Sequence, residues 1–308
     1  VSACRALAPA KVNLGLFVGP VRAQDGRHEL VTVMQAISLA DVLTLEPAGR
    51  GAERDELICA GVPGGPEDNL AGRALQAFRA ATAWNAAPLR VRVEKHIPVA
   101  AGLGGGSADA GATLRLAQHA SGLGDEALLL ELAGGLGADV PAQVSPGRWL
   151  ASGAGERLLR LPAPASPLAL LVLELPAQLS TAAVYTEADR LRSPRALGEL
   201  HARAEALAAE LSDGTPLPAS GELLDNDLQL AASTLCPAVA RGLELMKAAG
   251  AQHTVLSGSG PTVIGLFAGA RAAQRARDGA RELTGAWPAP RCAHAVDASF
   301  ARAASVGS

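Results

Sequence analysis

Apolar and polar residues alternate along Lys11–Val18 and again along Asp41–Pro47, the period-two pattern of strands with one buried face. The polar segment between them, residues 21–30, carries an Asp25-Gly26 turn signal and reads as their connection. Asp68–Thr82 opens on a helix-capping residue and then repeats its apolar positions at helical spacing. Residues 88–98 alternate again and stop at Pro98. A glycine-dense turn follows and opens an Ala/Leu-rich helix, with a second helix over residues 125–137 closed by its glycines.

From about Leu158 the pattern changes. Four prolines surround the apolar stretch of residues 157–177, which reads as a strand reached through a crossover between domains. Helices are predicted over 196–211 and 237–250, the second entered through Pro237 and closed by Gly250. Residues 253–267 read strand, glycine turn, strand, and so predict a hairpin. A helix over 270–285 and a last short strand over 293–298 complete the chain, with a tail after Ala301 expected to fray. No internal repeat is visible. These elements predict two mixed α and β domains, 1–160 and 161–308, which fits the usual ~150 residues per domain.

Composition narrows the function. The chain has 308 residues, 49% of them apolar, enough for two cores. A net charge of −3 gives no basic field to hold nucleic acid or an anionic membrane surface. Four Phe, three Trp and one Tyr are too few for a base-stacking platform. Cys4, Cys59, Cys236 and Cys292 are widely spaced, with neither metal spacing nor the density of a disulfide scaffold, so a reducing, cytoplasmic setting is expected. The first residues lack the basic start and apolar run of a signal peptide, and apolar runs such as Leu168–Leu173 fall far short of the ~18 residues of a membrane span.

The candidate chemistry lies in the glycines. Pro98–Asp109 (PVAAGLGGGSAD) places several glycines between a strand and a helix, where successive N–H groups curl around an anion and the helix dipole adds to them. The spacing is neither a Walker A loop nor GxGxxG. Ser107 offers a hydroxyl to a phosphate or to Mg²⁺; a close-packed turn would call for the same glycines. A second glycine loop, Ser257–Thr262, serves equally as a simple hairpin turn or as a cover over a bound nucleotide or acceptor. Lys11 lies in an apolar strand with Asn13 on the same side of the pleat. Asp139 follows a helix in Gly137–Pro141. A lysine beside an aspartate keeps the carboxylate ionised, which suits phosphoryl transfer to a hydroxyl. Spacing alone does not bring the two together.

In combination these blocks resemble the GHMP kinase superfamily: residues 9–14 (PAKVNL), 98–110 (PVAAGLGGGSADA) and 256–263 (LSGSGPTV). Within it, the run from Ala8 to Leu14 followed by Asp25–Leu30, the triple glycine, Leu136–Pro141, Gly153–Glu156 and Asn226–Leu228 are similar to the 4-diphosphocytidyl-2-C-methylerythritol kinase family. The resemblance spans residues 8 to about 267. It implies an α+β, two-domain GHMP kinase fold, with an N-terminal ribosomal-protein-S5-like α/β domain, a C-terminal ferredoxin-like domain and the site in the cleft between them. It also implies ATP-dependent phosphorylation of the 2-hydroxyl of a cytidine-diphosphate-linked methylerythritol, a step in the non-mevalonate route to isoprenoid precursors, with Mg²⁺ as cofactor and no nucleic-acid or membrane partner.

Residue by residue, the resemblance makes Lys11 and Asp139 the catalytic pair. Pro98, Ala100, Gly102, Leu103, Gly104, Gly105, Gly106 and Ser107, with Lys95 before them, become the ATP-binding segment, Ser107 facing the metal. Asn13, Arg27, His28, Ser180, Thr181, Ser257, Gly258, Ser259 and Gly260 become substrate-binding positions. Three residues depart from the family pattern. Arg27 stands where an aromatic residue often stacks on cytosine, Ala108 where a second serine is usual, and Ala142 where phenylalanine is common. Arg27 keeps open a kinase for another small molecule, such as homoserine or a sugar. A nucleotide-binding regulatory protein without the chemistry is the third reading, opposed by Lys11, Ser107 and Asp139 all being present.

Overall fold

The computed structural model describes residues 1–62, 65–191, 194–283, 285 and 289–306. Two antiparallel-dominated sheets organise it. In the larger, β1 (Cys4–Val21) and β2 (His28–Pro47) form one long hairpin, so the strand expected at Lys11–Val18 is the inner part, and that at Asp41–Pro47 the final part, of much longer ones. Polar residues inside β2 hide its length from an alternation pattern: Thr32, Gln35 and Asp41 are all buried. β3 (Glu56–Cys59) and β4 (Leu89–Glu94) lie parallel, joined by helix α1 (Leu70–Thr82). β5 (Arg148–Gly153) pairs with β2 on one side and β6 (Arg157–Leu161) on the other.

Local signals set the helix ends. Asn69 caps α1 by accepting from the Ala71 amide at 2.9 Å, and Asp125 caps α3 (Glu126–Leu136) by accepting from Leu128 at 2.9 Å. Between them runs α2 (Gly105–Ser121), whose Ala108, Ala110, Ala112, Leu114 and Leu116 are fully buried beneath the large sheet. The short helix α4 (Val140–Val144) is buried throughout and entered through Pro141.

The smaller sheet is built from β7 (Leu168–Leu173), β8 (His253–Leu256), β9 (Val263–Ala268) and β10 (Arg291–His294), in the spatial order β10-β7-β9-β8. Helices lie between β7 and β8, namely α5 (Thr181–Leu191), α6 (Leu197–Leu211), α7 (Gln229–Leu235) and α8 (Pro237–Ala248), and α9 (Ala272–Glu282) lies between β9 and β10. This is a ferredoxin-like split β-α-β arrangement, all antiparallel. Both faces of β7 are buried in period-two fashion: Leu171 and Leu173 join the core under α8 and α9, while Leu168, Leu170 and Val172 join the core of the larger sheet.

The expected division at 160/161 cuts off the last residue of β6, Leu161, which still pairs with Arg148 in the larger sheet; β7, the first strand of the smaller sheet, begins at Leu168. Two later segments return across it. Leu200, Leu207 and Leu211 of α6 enter the core of the larger sheet, and β11 (Ala304–Ser305) pairs with Cys4 and Arg5 of β1, so residues expected to fray close a sheet edge. Gly307 and Ser308, at the end of that tail, lie outside the described residues, as does Thr284 at the end of the expected helix over 270–285.

Candidate active site

The β1–β2 ladder shifts register between Pro9 and Lys11 and again between Asn13 and Gly15. Irregularities of this kind re-aim side chains at the edge of a site. Here they bracket Lys11 and Asn13, the buried polar residues of β1. The Lys11 ammonium donates to Asn13 Oδ1 at 2.9 Å, and Asn13 Nδ2 donates to Thr32 Oγ1 at 2.8 Å. Lys11 also lies 3.3 Å from Asp139 Oδ2, at the start of α4. The lysine side chain is 10% exposed and the aspartate 37%, so the carboxylate is the more open member of the pair.

Glycine carries the adjoining loop. Gly102 has φ +77°, and a Cβ there would lie 2.4 Å from the Ser257 carbonyl oxygen, so no other residue fits. Gly104, at φ +68°, starts α2 and rests against the Lys11 methylenes. The Lys11 amide in turn donates to the Leu103 carbonyl at 2.9 Å. The second glycine loop closes over the first: Ser257 Oγ donates to Gly102 O at 3.0 Å, and Asn226 Nδ2 donates to the carbonyls of Leu256 and Gly258 at 2.8 and 2.7 Å.

Two cavities meet at this loop. One, of about 290 Å³, is lined by Lys95, Pro98, Ala100, Leu103, Gly105 and Gly106, together with Cys59, Asn69 and Leu70. The other, of about 880 Å³, is lined by Lys11, Asn13, Arg27, His28, Asp139 and Thr181, with Gly258, Ser259 and Tyr185 further along. Gly102, Gly104 and Ser107 line both. Ser180, Ser257 and Gly260 do not reach the wall of the larger cavity. The Ser180 hydroxyl accepts from the Ala183 amide at the start of α5, Ser257 is fully buried against Gly102, and Gly260 is turned toward Leu256 and Leu179. These three hold the loops that carry the lining residues.

Several residues of the site escaped the sequence reading. Tyr185, the only tyrosine, stands 5.1 Å from the His28 ring, centroid to centroid, at a 35° tilt. It sits one helical turn after Thr181 and one before Asp189, so all three share a face of α5, a spacing that was legible in advance. Burial pushes the Tyr185 hydroxyl up to about 12, with the Asp139 charge adding to the effect, so it stays a neutral ring. His28 Nδ1 lies 2.9 Å from the Gly19 carbonyl and Nε2 lies 3.4 Å from Asp189 Oδ2. Below the smaller cavity, Lys95 bonds Asp41 at 2.5 Å and Asp109 at 2.8 Å. Burial works against the Lys95 ammonium, but the Asp109 and Asp41 carboxylates outweigh it and raise its pKa. Burial lifts Asp109 to about 7 against the pull of Lys95.

The comparisons with known proteins agree with this geometry. The family model "GHMP kinases N terminal domain" matches residues 69–147 and "GHMP kinases C terminal" matches residues 196–284. The chain belongs to the GHMP kinases. The 4-diphosphocytidyl-2-C-methyl-D-erythritol kinase of Anaeromyxobacter dehalogenans is 44% identical over 274 residues, covering 88% of this chain and 82% of the relative. The enzyme of that name from Salinispora tropica is 41% identical over 283 residues, covering 88% and 85%. A crystal structure of 4-(cytidine 5'-diphospho)-2C-methyl-D-erythritol kinase superposes with a TM-score of 0.73 at 34% identity, over 94% of this chain and 98% of that one. Homoserine kinase from Cytophaga hutchinsonii shares the fold, with a TM-score of 0.74 at 18% identity. As a GHMP kinase the protein takes ATP as phosphoryl donor and a small molecule as acceptor. Among the described residues no helix is long and apolar enough to cross a membrane.

Proposed function

We propose that the protein phosphorylates the 2-hydroxyl of 4-diphosphocytidyl-2-C-methyl-D-erythritol, forming the 2-phosphate and ADP in the non-mevalonate route to isoprenoid precursors. One observation carries this reading. The Lys11–Asp139 pair lines the larger cavity, which shares Gly102, Gly104 and Ser107 with the glycine-lined one and also holds the Tyr185 ring and His28. The identities of about 40% with kinases of that name support the choice of acceptor.

In this reading the triphosphate lies along Gly102–Ser107, where the first amides of α2 have no partner within the helix and its dipole favours anions. Asp139 accepts the hydroxyl proton as the oxygen bonds to the γ-phosphorus, and the bond to the β–γ bridging oxygen breaks with its electron pair, releasing ADP. Lys11 holds the Asp139 carboxylate in place through their ion pair and neutralises charge on the transferring group. Because a loose transition state asks little of a base, positioning by Asp139 counts for as much as its basicity. Asn13 and Thr32 hold Lys11 to one side of this path.

The donor set fits Mg²⁺ carried in with the nucleotide. Among the described residues no group of three acidic, thiol or imidazole side chains forms a protein-only metal cage, and Mg²⁺ with phosphates commonly uses only one or two protein oxygens. Ser107, shared by both cavities, would supply one. The ion would screen charge on the β- and γ-phosphates. At the other end, the cytosine lies against Tyr185 with His28 beside it, and the flat Arg27 guanidinium takes the place of the usual aromatic partner.

ADP release with ATP, Mg²⁺ and the cytidyl substrate tests the proposal, with methylerythritol lacking the cytidine diphosphate as control acceptor. Turnover that depends on the cytidyl group is expected. Turnover indifferent to it, or none with either acceptor, overturns the reading.

A further inference from the structure

The β1–β2 turn and the β5–β6 turn emerge side by side, because Leu30 pairs with Gly153 across β2 and β5. Five residues of these turns form a closed ring of hydrogen bonds. Asp25 accepts from the Arg27 amide at 3.1 Å and pairs through both carboxylate oxygens with the Arg22 guanidinium. Arg22 reaches across to Glu156 Oε1 at 2.5 Å. The other oxygen of Glu156 accepts from the Ala154 amide at 2.7 Å, and the Ala154 carbonyl accepts from Arg27 Nη2 at 2.6 Å. Arg27, Ala154 and Gly155 line the larger cavity, whereas Arg22, Asp25 and Glu156 do not. Gly153 makes the ring possible: it has φ +71°, and a Cβ there would lie 2.5 Å from Glu156 Oε1.

We propose that this ring is a clasp in which Arg22, Asp25 and Glu156 act as positioning residues, fixing the Arg27 guanidinium in place for the cytidyl end of the acceptor. The inference rests on the function proposed above. An arginine left free would lose rotamer freedom each time substrate bound, whereas one already held on both its amide and its guanidinium has lost it on folding. Two cations, Arg22 and Arg27, balance two anions, Asp25 and Glu156, so the clasp adds no net charge beside the substrate's diphosphate. Isolated surface ion pairs contribute little, but a bidentate pair inside a network is the recognised exception. Desolvation works against the Glu156 carboxylate, yet Arg22 and the Ala154 amide hold its pKa below the ordinary range. None of the three positioning residues touches the Lys11–Asp139 pair, so their effect belongs to KM of the acceptor and not to the chemical step.

The test is a kinetic cycle on the full chain. Glu156→Ala is expected to raise KM for the cytidyl substrate about threefold, no more than Arg27→Ala does, with kcat little changed and KM for ATP unchanged. Glu156→Gln, which keeps an acceptor oxygen but loses the charge, is expected to fall between parent and Glu156→Ala. In an Arg27→Ala background the same substitution should add nothing further, because the clasp acts through Arg27. Hydrogen exchange of the ligand-free protein should show the Arg27 and Ala154 amides exchanging faster in Glu156→Ala than in the parent. If Glu156→Ala fails to fold, Arg22→Lys, which breaks the bidentate fork, is read in the same way. Multiplying effects in the double variant, an equal rise in KM for ATP, or an unchanged KM in a parent that discriminates the cytidyl group overturns the clasp alone. A parent indifferent to the cytidyl group overturns the function proposal and the clasp with it.

Discussion

The two cavities are built in opposite ways. The smaller takes most of its wall from one continuous stretch, Lys95–Asp109, and much of that wall is backbone and glycine. The larger gathers side chains from β1, the β1–β2 turn, the start of α4, the β5–β6 turn, α5 and the Ser257–Thr262 loop. A polyphosphate is the same in every kinase and can be held by amides, which any sequence supplies once glycine permits the bend. An acceptor differs from one kinase to the next, and only side chains can tell it apart. On the proposed reading, the donor side is fixed by local conformation and the acceptor side by long-range assembly.

The largest effect expected lies where the two halves meet. Asp139→Asn keeps the shape of the side chain but removes its charge and its capacity as a proton acceptor. We expect kcat to fall by roughly 10²–10⁴, the range for losing a positioned general base, while nucleotide affinity measured by calorimetry stays close to that of the parent. Equal turnover in parent and variant would remove Asp139 from the reaction. A matching loss of nucleotide affinity would place its role on the donor side and break the division between the cavities.

That division also explains what was legible in the sequence. The conformation of the glycine loop could be read because it is local: strand, glycines and helix follow one another in the chain. The ferredoxin-like half was partly legible through the hairpin of β8 and β9 and the helix entered at Pro237. Tyr185 does not stand out in the sequence, although it lies one helical turn after Thr181, which the resemblance makes a substrate-binding position. The reading looked for an aromatic residue next to His28 and found Arg27, whereas the ring arrives from α5, more than 150 residues later in the chain. Asp41 and Asp109 were hidden for a related reason: each is a lone carboxylate in an apolar context, and only the fold brings both onto Lys95. The long polar-containing β2 and the return of β11 to the edge of β1 depend on tertiary pairing that local pattern does not encode.

An intermediate effect is expected at Tyr185 and Arg27 in the larger cavity. Stacking of a base on an aromatic ring contributes ~1–3 kcal/mol, so Tyr185→Ala should raise KM for the cytidyl substrate by roughly 10- to 100-fold with little change in kcat. Arg27→Ala should raise it less, by about three- to tenfold, because a guanidinium over a ring is the weaker partner. Steady-state kinetics with both substrates checks this order. If Arg27→Ala proved the more damaging, the guanidinium would be the principal base contact and Tyr185 a packing residue beside His28.

The smallest effect tests the donor side through its buried charges. Asp41 and Asp109 share Lys95 under the glycine loop, and burial has raised Asp109 to about 7, well above an unfolded aspartate. A raised carboxyl pKa means that the native state holds a proton the unfolded chain has released. Between about pH 4 and pH 7 this group therefore makes stability fall as pH rises, by at most ~1.4 kcal/mol per pH unit, and above that window its contribution is constant. Asp109→Asn removes the titrating group. Melting temperatures of parent and variant from pH 5 to pH 8 should diverge in slope, the parent losing more on going from pH 5 to pH 7. Parallel curves would show that Asp109 is ionised throughout the range, with Lys95 neutralising both carboxylates. The donor-side floor would then be a fixed ion triad, and the contrast between a backbone-built cavity and a charge-built one would weaken on the side where it is strongest.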